Sequence, residues 1–446
     1  MLAAPLLLLS APFLSLQEPA ARPAPGWVAI APREWLAELE PLRALRAGEM
    51  RAETVALEQV LAESAGVDAP ERIKRWLHAR WRDDGLRYAL LVGDADTFPV
   101  RFMVLDRVTE AAFDTAFYAS DHYYADLADD DGGFDDWNAS AEGFHAAYFG
   151  EVDGEKHKQP PMNRDGVSYS PELAVGRWPV SAREELAPLV AKTVAWQPRP
   201  ATDARALLVH APEWIDARAR FGRLGDALEG AGWRTDRRFY GGEAELSPAS
   251  VGAALAAGVE LALHVGHGSN DTWHLCLGEE QRRALAGTPP AVYLSVGCST
   301  AHLCTEPPYQ AYLDVDGIPH AGTSGGEVFT APPPPPAPLQ PGRFDHDGLG
   351  ERLLRMADGG AVAYIGCGTG AQPAALTLLD GFVLAAAEDG AARLGDAWVA
   401  ALARYREVEQ LDILQPTASW YPASIFFQGM KFLVFGDPAL PLPPRP

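Results

Sequence analysis

Two short segments carry the residue types that thiol chemistry needs. LALHVGHGSNDTW (261–273) runs apolar and then presents His267 between two glycines. AVYLSVGCSTA (291–301) runs apolar and then presents Cys298 directly after a glycine. A thiol alone is a weak nucleophile, because only a few per cent of it is ionised at neutral pH. An imidazole within reach takes its proton and later delivers that proton to a leaving amine. The glycines permit close backbone approach, and the N–H groups of Cys298 and Gly268 are candidate donors to an oxyanion. Ser299 and Thr300 suit the start of a helix whose N-terminal end favours a thiolate. Metal binding competes for the same residues, since His264, His267, Cys298, His302 and Cys304 are all ligand types. On an extended segment, however, His264 and His267 point to opposite faces. Cys298 and Cys304 are also spaced too widely for a zinc loop. Cys276 and Cys367 sit in apolar surroundings and read as inert small hydrophobes.

Both segments need a scaffold that brings them together. Apolar runs recur at 27–32, 88–94, 172–178, 206–213, 261–268, 291–298, 361–368 and 432–437, and each is continuous rather than alternating. That pattern fits strands buried on both faces, as in a parallel sheet. Helical patterns lie between them at 70–81, 182–196, 220–232 and 247–258, the last with Ser247 as N-cap and Pro248 at the first helical position. The expected fold class is α/β: doubly wound subdomains with mostly parallel sheets and helices on both faces. In such a sheet the C-terminal ends of neighbouring strands open onto one crevice, where ligands bind.

The 446 residues suffice for two or three domains. The polar, proline-bearing stretch 197–205 is the expected boundary. It separates an N-terminal α/β subdomain (23–199) from a catalytic one (200–446) that contains a proline-rich insertion at 305–345. The five consecutive prolines of that insertion are expected to form an extended surface loop that acts as a spacer. Residues 1–22 hold an apolar core of signal-peptide length, without the usual basic segment before it, and point to export from the cell. No other stretch is long enough to span a membrane. A net charge of −23 argues against nucleic acid as a partner. Four cysteines are too few for a disulfide scaffold.

The stretch 126–144 is dense in aspartate. Clustered carboxylates repel one another unless they are solvated or bridged by a hard cation. Asp129, Asp131, Asp135 and Glu142 form a candidate Ca2+ site of irregular type, with a solvated acidic loop as the alternative. A structural Ca2+ is the one cofactor expected, and none is required for catalysis.

Taken together, these segments resemble the gingipain-type cysteine peptidases, a family with a caspase-like fold. The motifs that carry the likeness are YALLVGDAD (88–96), SDHYYADL (120–127), PELAVGRWPV (171–180), GHGSNDTW (266–273), SVGCSTA (295–301), GGAVAYIGCGTG (359–370) and FLVFGDPAL (432–440). The resemblance implies a cysteine endopeptidase acting on protein or peptide, with Cys298 as nucleophile and His267 as general base and acid. It also implies Glu213 as the carboxylate that orients the histidine, and Asp216, Gly268 and Trp273 at the substrate. A preference for Arg or Lys before the scissile bond rests on Asp216. The insertion departs from the family pattern and bears on access to the cleft. Two other readings stay open: a catalytically silent module of the same fold, and a metal-dependent hydrolase.

Overall fold

Continuous apolar runs become strands whose alternate side chains enter two different cores. In the first strand, Val28 and Ile30 face one core while Trp27, Ala29 and Ala31 face the other. The computed structural model describes residues 25–104, 115–137, 167–330, 333–414 and 425–444. The signal-type segment and Glu142 lie outside these residues.

Ten strands form the main sheet: β1 (Gly26–Ala31), β2 (Arg51–Ala56), β3 (Leu86–Val92), β4 (Ala174–Trp178), β5 (Arg205–His210), β6 (Arg234–Phe239), β7 (Leu261–Val265), β8 (Ala291–Val296), β9 (Ala361–Cys367) and β10 (Phe432–Phe435). Their order is β2-β1-β3-β4-β10-β9-β8-β7-β5-β6. All neighbours pair in parallel except β9 and β10, which are antiparallel. The fold is therefore α/β with a mostly parallel sheet. Strands from the first half lie on one side of β10 and those from the second half on the other. The boundary stretch 197–205 joins the helix Leu186–Ala195 to β5.

Helices cover both faces. Ala69–Asp84, Arg218–Gly230, Leu376–Leu384 and Leu394–Val408 pack on one, and Glu40–Ala47, Leu186–Ala195, Pro248–Ala256 and Leu349–Leu354 on the other. Ser247 caps its helix by accepting from Ser250 N at 3.2 Å, with Pro248 at the first position. Among the described residues no helix is long and apolar enough to cross a membrane.

The proline-rich insertion is a packed strap rather than a spacer. Val315 N donates to Pro335 O at 3.0 Å, Val100 N to Pro338 O at 2.8 Å and Gln340 N to Ala95 O at 2.8 Å. Prolines cannot donate, but their carbonyls accept freely, from Val315 N and, at 2.9 Å, from the Tyr312 hydroxyl, while Ala337 N donates back to Leu313 O at 2.8 Å. It crosses the loops that follow β3, on the rim where the parallel strands end.

Candidate active site

The rim at the C-terminal ends of β5, β7, β8 and β9 collects the chemistry. On the paired strands β7 and β8, Val265 stands opposite Val296. His267 and Cys298 each follow two residues later, so the two side chains leave the sheet at matched positions. Their loops touch. A Cβ placed on Gly268 would lie 2.9 Å from Cys298 O and 2.5 Å from Thr300 Cγ2. Only glycine allows the histidine loop to approach the cysteine loop this closely. His267 is exposed and Cys298 half-buried, so both can be reached from solvent.

The third element comes from β5. His210, at its end, faces Ala211 O with Nδ1 and accepts from Ala217 N with Nε2, both at 2.9 Å. This pins the loop between, in which Glu213 takes a left-handed backbone (φ 76°). Such a conformation is rare for a residue with a side chain and is retained only when the surroundings enforce it. It turns the Glu213 carbonyl toward His267, whose Nε2 donates to it at 2.9 Å. The contact is thus through the main chain and not, as the sequence suggested, through the carboxylate. The carboxylate instead approaches His274 Nε2 at 3.8 Å. With Nε2–H committed to a carbonyl, Nδ1 is the free basic nitrogen of His267.

One participant is invisible in the sequence. The segment after β9 passes alongside Cys298, and Ala371 N donates to Sγ at 3.4 Å. Ser299 N donates to Thr369 O at 2.7 Å, and Ser299 has φ 52°, which locks the turn after Cys298. No helix follows at Ser299, contrary to expectation. Neither Cys298 N–H nor Gly268 N–H has a hydrogen-bond partner among the described residues. Both donors are spare at the one place where an oxyanion would form.

Trp273 needs correcting as a substrate contact. It is completely buried, stacks on His264 and donates to Tyr364 Oη at 2.9 Å. Asp216 is exposed but already engaged, because Arg218 forks onto it with contacts of 2.8 and 2.7 Å. Arg218 also lies 4.3 Å over the Tyr240 ring. Its guanidinium holds the Asp216 carboxyl well below the usual carboxylate range. Cys276 and Cys367 are buried thiols, each pushed up to about 12 by that burial. All four cysteines are free.

Among the described residues, the candidate cation ligands Asp129, Asp131 and Asp135 do not converge. Asp129 turns inward on its own loop, accepting from Asp131 N at 3.1 Å and Gly133 N at 2.7 Å. Asp131 is exposed. Asp135 is buried against the Lys74 ammonium at 3.5 Å and against Trp137 Nε1. Lys74 is itself fully buried among Trp137, Tyr123 and Phe134. Elsewhere, Asp94, Asp347 and Glu351 bring ligand oxygens within 4.8 Å of one another. Glu351 Oε2 accepts from Gly348 N at 2.7 Å, while Oε1 is buried without a partner. Arg355 pairs with Asp94 and, at 2.8 Å, with Asp347.

Peptidase family C25 matches residues 20–443, nearly the whole chain. The chain belongs to that family. It is a cysteine-type peptidase of gingipain type, and protein or peptide is its substrate class. Two solved structures are similar to this C25 peptidase. The Arg-specific cysteine proteinase gingipain R (RgpB) shares 14% identity at a TM-score of 0.60, over 95% of this chain and 79% of that one. The complex of the Porphyromonas gingivalis RgpB pro- and mature domains shares 14% at 0.59, over 93% and 79%. No curated protein matches the chain in sequence.

Proposed function

We propose that this C25 peptidase is a secreted endopeptidase with Cys298 as nucleophile and His267 as general base and acid. The observation that carries the reading is the matched exit of these two side chains from adjacent parallel strands, on loops in backbone contact. Cys298 Sγ adds to the scissile carbonyl carbon while its proton passes to His267 Nδ1. The carbonyl oxygen becomes an oxyanion, for which the N–H groups of Cys298 and Gly268 are the donors. The carbon–nitrogen bond then breaks, Nδ1 protonates the leaving amine, and a thioester remains on Sγ. Water deprotonated by the same nitrogen hydrolyses the thioester and restores the thiol. The Glu213 carbonyl fixes the tautomer throughout. The test is cleavage of a mixed peptide library with and without iodoacetamide. Internal cuts that stop on alkylation and in Cys298→Ala are expected. Internal cuts surviving both would sink the nucleophile assignment.

For substrate preference, the Asp216–Arg218 pair decides our reading. A substrate Arg or Lys at Asp216 must displace a guanidinium held by two bonds and a ring. We therefore propose that selection for basic residues is weak in the native chain. Arg218→Ala should raise cleavage after Arg relative to Ala by about tenfold, the worth of one freed charged contact. An unchanged ratio would remove Asp216 from the substrate site.

We propose that a structural Ca2+ binds at Asp94, Asp347 and Glu351, displacing Arg355 from both aspartates, rather than in the acidic stretch. Hard cations take several carboxylate oxygens in flexible geometry, and the partnerless Glu351 oxygen supplies a buried one. These residues join the loop after β3 to the helix Leu349–Leu354, where the insertion returns. Millimolar Ca2+ should raise the melting temperature, and Glu351→Gln should cancel the rise. A rise that persists in Glu351→Gln would place the ion elsewhere.

A further inference from the structure

His264 is used by no step above, yet it is completely buried directly beneath both reacting residues. It lies on β7 opposite Ser295 of β8, and its Nδ1 is 2.9 Å from Ser295 Oγ. Its ring lies flat on the Trp273 indole, with centroids 4.6 Å apart and planes 4° apart. The opposite edge of the ring meets two glycines. A Cβ on Gly266 would sit 3.0 Å from Nε2, and one on Gly297 would sit 3.2 Å from Cε1. These are the residues immediately before His267 and Cys298. The same imidazole therefore sets the height of both catalytic loops.

Trp273 completes the support. It bridges to Gly268 and closes a tight turn with Leu277, through bonds of 2.9 and 3.0 Å. His274 N donates to His267 O at 2.9 Å, so the whole histidine loop hangs on the indole. Burial pushes His264 down to about 3, which keeps the ring uncharged. Nε2 has no hydrogen-bond partner among the described residues. An apolar ring would suit this edge as well, so it is the flat shape of the ring that the two loops use.

We propose that His264 is a positioning residue: a rigid plate clamped between Trp273 and Gly266/Gly297 that fixes the distance from His267 to Cys298. The inference rests on the dyad reading above. A displacement of about 1 Å between reacting groups costs about 10²-fold in rate. The experiment compares His264→Phe, which keeps a plate, with His264→Ala, which removes it. His264→Leu serves in place of the alanine variant should that chain not fold. Two readings are taken on each: kcat and KM on a cleaved peptide, and the pH profile of iodoacetamide inactivation of the free enzyme. The alanine (or leucine) variant should lose about 10²-fold in kcat with KM nearly unchanged. Its inactivation profile should shift, because the thiol no longer has its imidazole at the same distance. The phenylalanine variant should retain most of both. Equal behaviour of the two variants, or an unmoved inactivation profile, would overturn the proposal. Cys298→Ala is run alongside. If it still turns over substrate, the dyad reading fails, and the pH profile of alkylation at Cys298 itself, followed by the mass of the modified peptide, still reports separately on His264.

Discussion

The rim at Cys298 and the acidic loop at Asp126–Trp137 use their polar groups in opposite ways. At the rim, backbone bonds such as Ser299 N to Thr369 O and His274 N to His267 O hold the turns, while the reactive atoms keep spare capacity. His267 Nδ1 and the N–H groups of Gly268 and Cys298 are uncommitted. In the acidic loop the buried carboxylates are instead gathered around a buried cation, and Asp126 Oδ1 has no hydrogen-bond partner among the described residues. Asp135 and Asp126 lie buried near the Lys74 ammonium, Asp126 accepts from Ser168 N at 2.9 Å, and Asp129 closes its own turn. Burial drives both partners of that cluster toward their uncharged forms, Asp126 upward and Lys74 downward. Residue types alone do not separate the two regions. What separates them is whether groups with bonding capacity converge on one solvent-accessible place once the fold is formed.

The sharpest way to break this contrast is to remove one group from each region. His267→Ala should lower turnover by about 10⁴-fold or more. Its melting temperature should stay close to that of the parent, since the side chain is exposed and only its loop backbone supports the fold. Lys74→Met should do the reverse. Removing the cation strands buried carboxylates at a cost of about 3–5 kcal/mol in unfolding free energy. The sign with pH follows from their raised folded-state values. Such groups bind protons more tightly when folded, so the variant is least impaired below about pH 4 and loses stability as pH rises. Denaturant titrations at pH 4 and pH 7 check this, and a deficit that shrinks with rising pH would contradict the burial argument.

Much of this organisation was legible in the sequence. All eight apolar runs became strands of the main sheet, because residues buried on both faces leave an unbroken hydrophobic signature. The two strands missed, RAETVA and RTDRRF, are β2 and β6, the two edges. Edge strands face solvent and carry charge, so their composition conceals them. The nucleophile and histidine segments were legible because glycines at matched strand ends are a backbone requirement that shows as residue type. Three features were not. Ala371 and Glu213 act through main-chain atoms, which any side chain can accompany. Trp273 sits in a motif beside the site but points into the core, and motif membership does not encode direction. The strap character of the proline run was hidden because its contacts are carbonyl acceptances from distant segments.

A smaller effect tests the main-chain reading of Glu213. Glu213→Ala keeps the carbonyl and should retain kcat/KM within about threefold, well short of the 10⁴-fold cost of removing a triad carboxylate that fixes the tautomer. Glu213→Pro cannot hold a positive φ and should lose far more. A large loss in the alanine variant would restore the carboxylate to the orienting role.

The smallest expected effect lies in the insertion, at a histidine whose two ring nitrogens are both engaged. His320 places Nε2 2.9 Å from Asp314 and Nδ1 2.8 Å from Glu327. It stacks on Tyr312 at 4.8 Å and lies near Phe329. Both nitrogens can donate only when the ring is an imidazolium. Burial pulls its pKa down, but the bonds to Glu327 and Asp314 outweigh that and leave it raised. A histidine with a raised folded-state value stabilises the fold fully below its unfolded value near 6.5 and loses that contribution as pH rises through the folded one. Protection factors for amide exchange at 312–327, with the intrinsic rise of exchange with pH divided out, should therefore fall between pH 6 and pH 8, by an opening free energy of no more than about 1.5 kcal/mol. His320→Gln should flatten the dependence. If protection there instead stays level or rises at pH 8, the clasp is not held by an ionised ring, and the insertion keeps its place by its other hydrogen bonds.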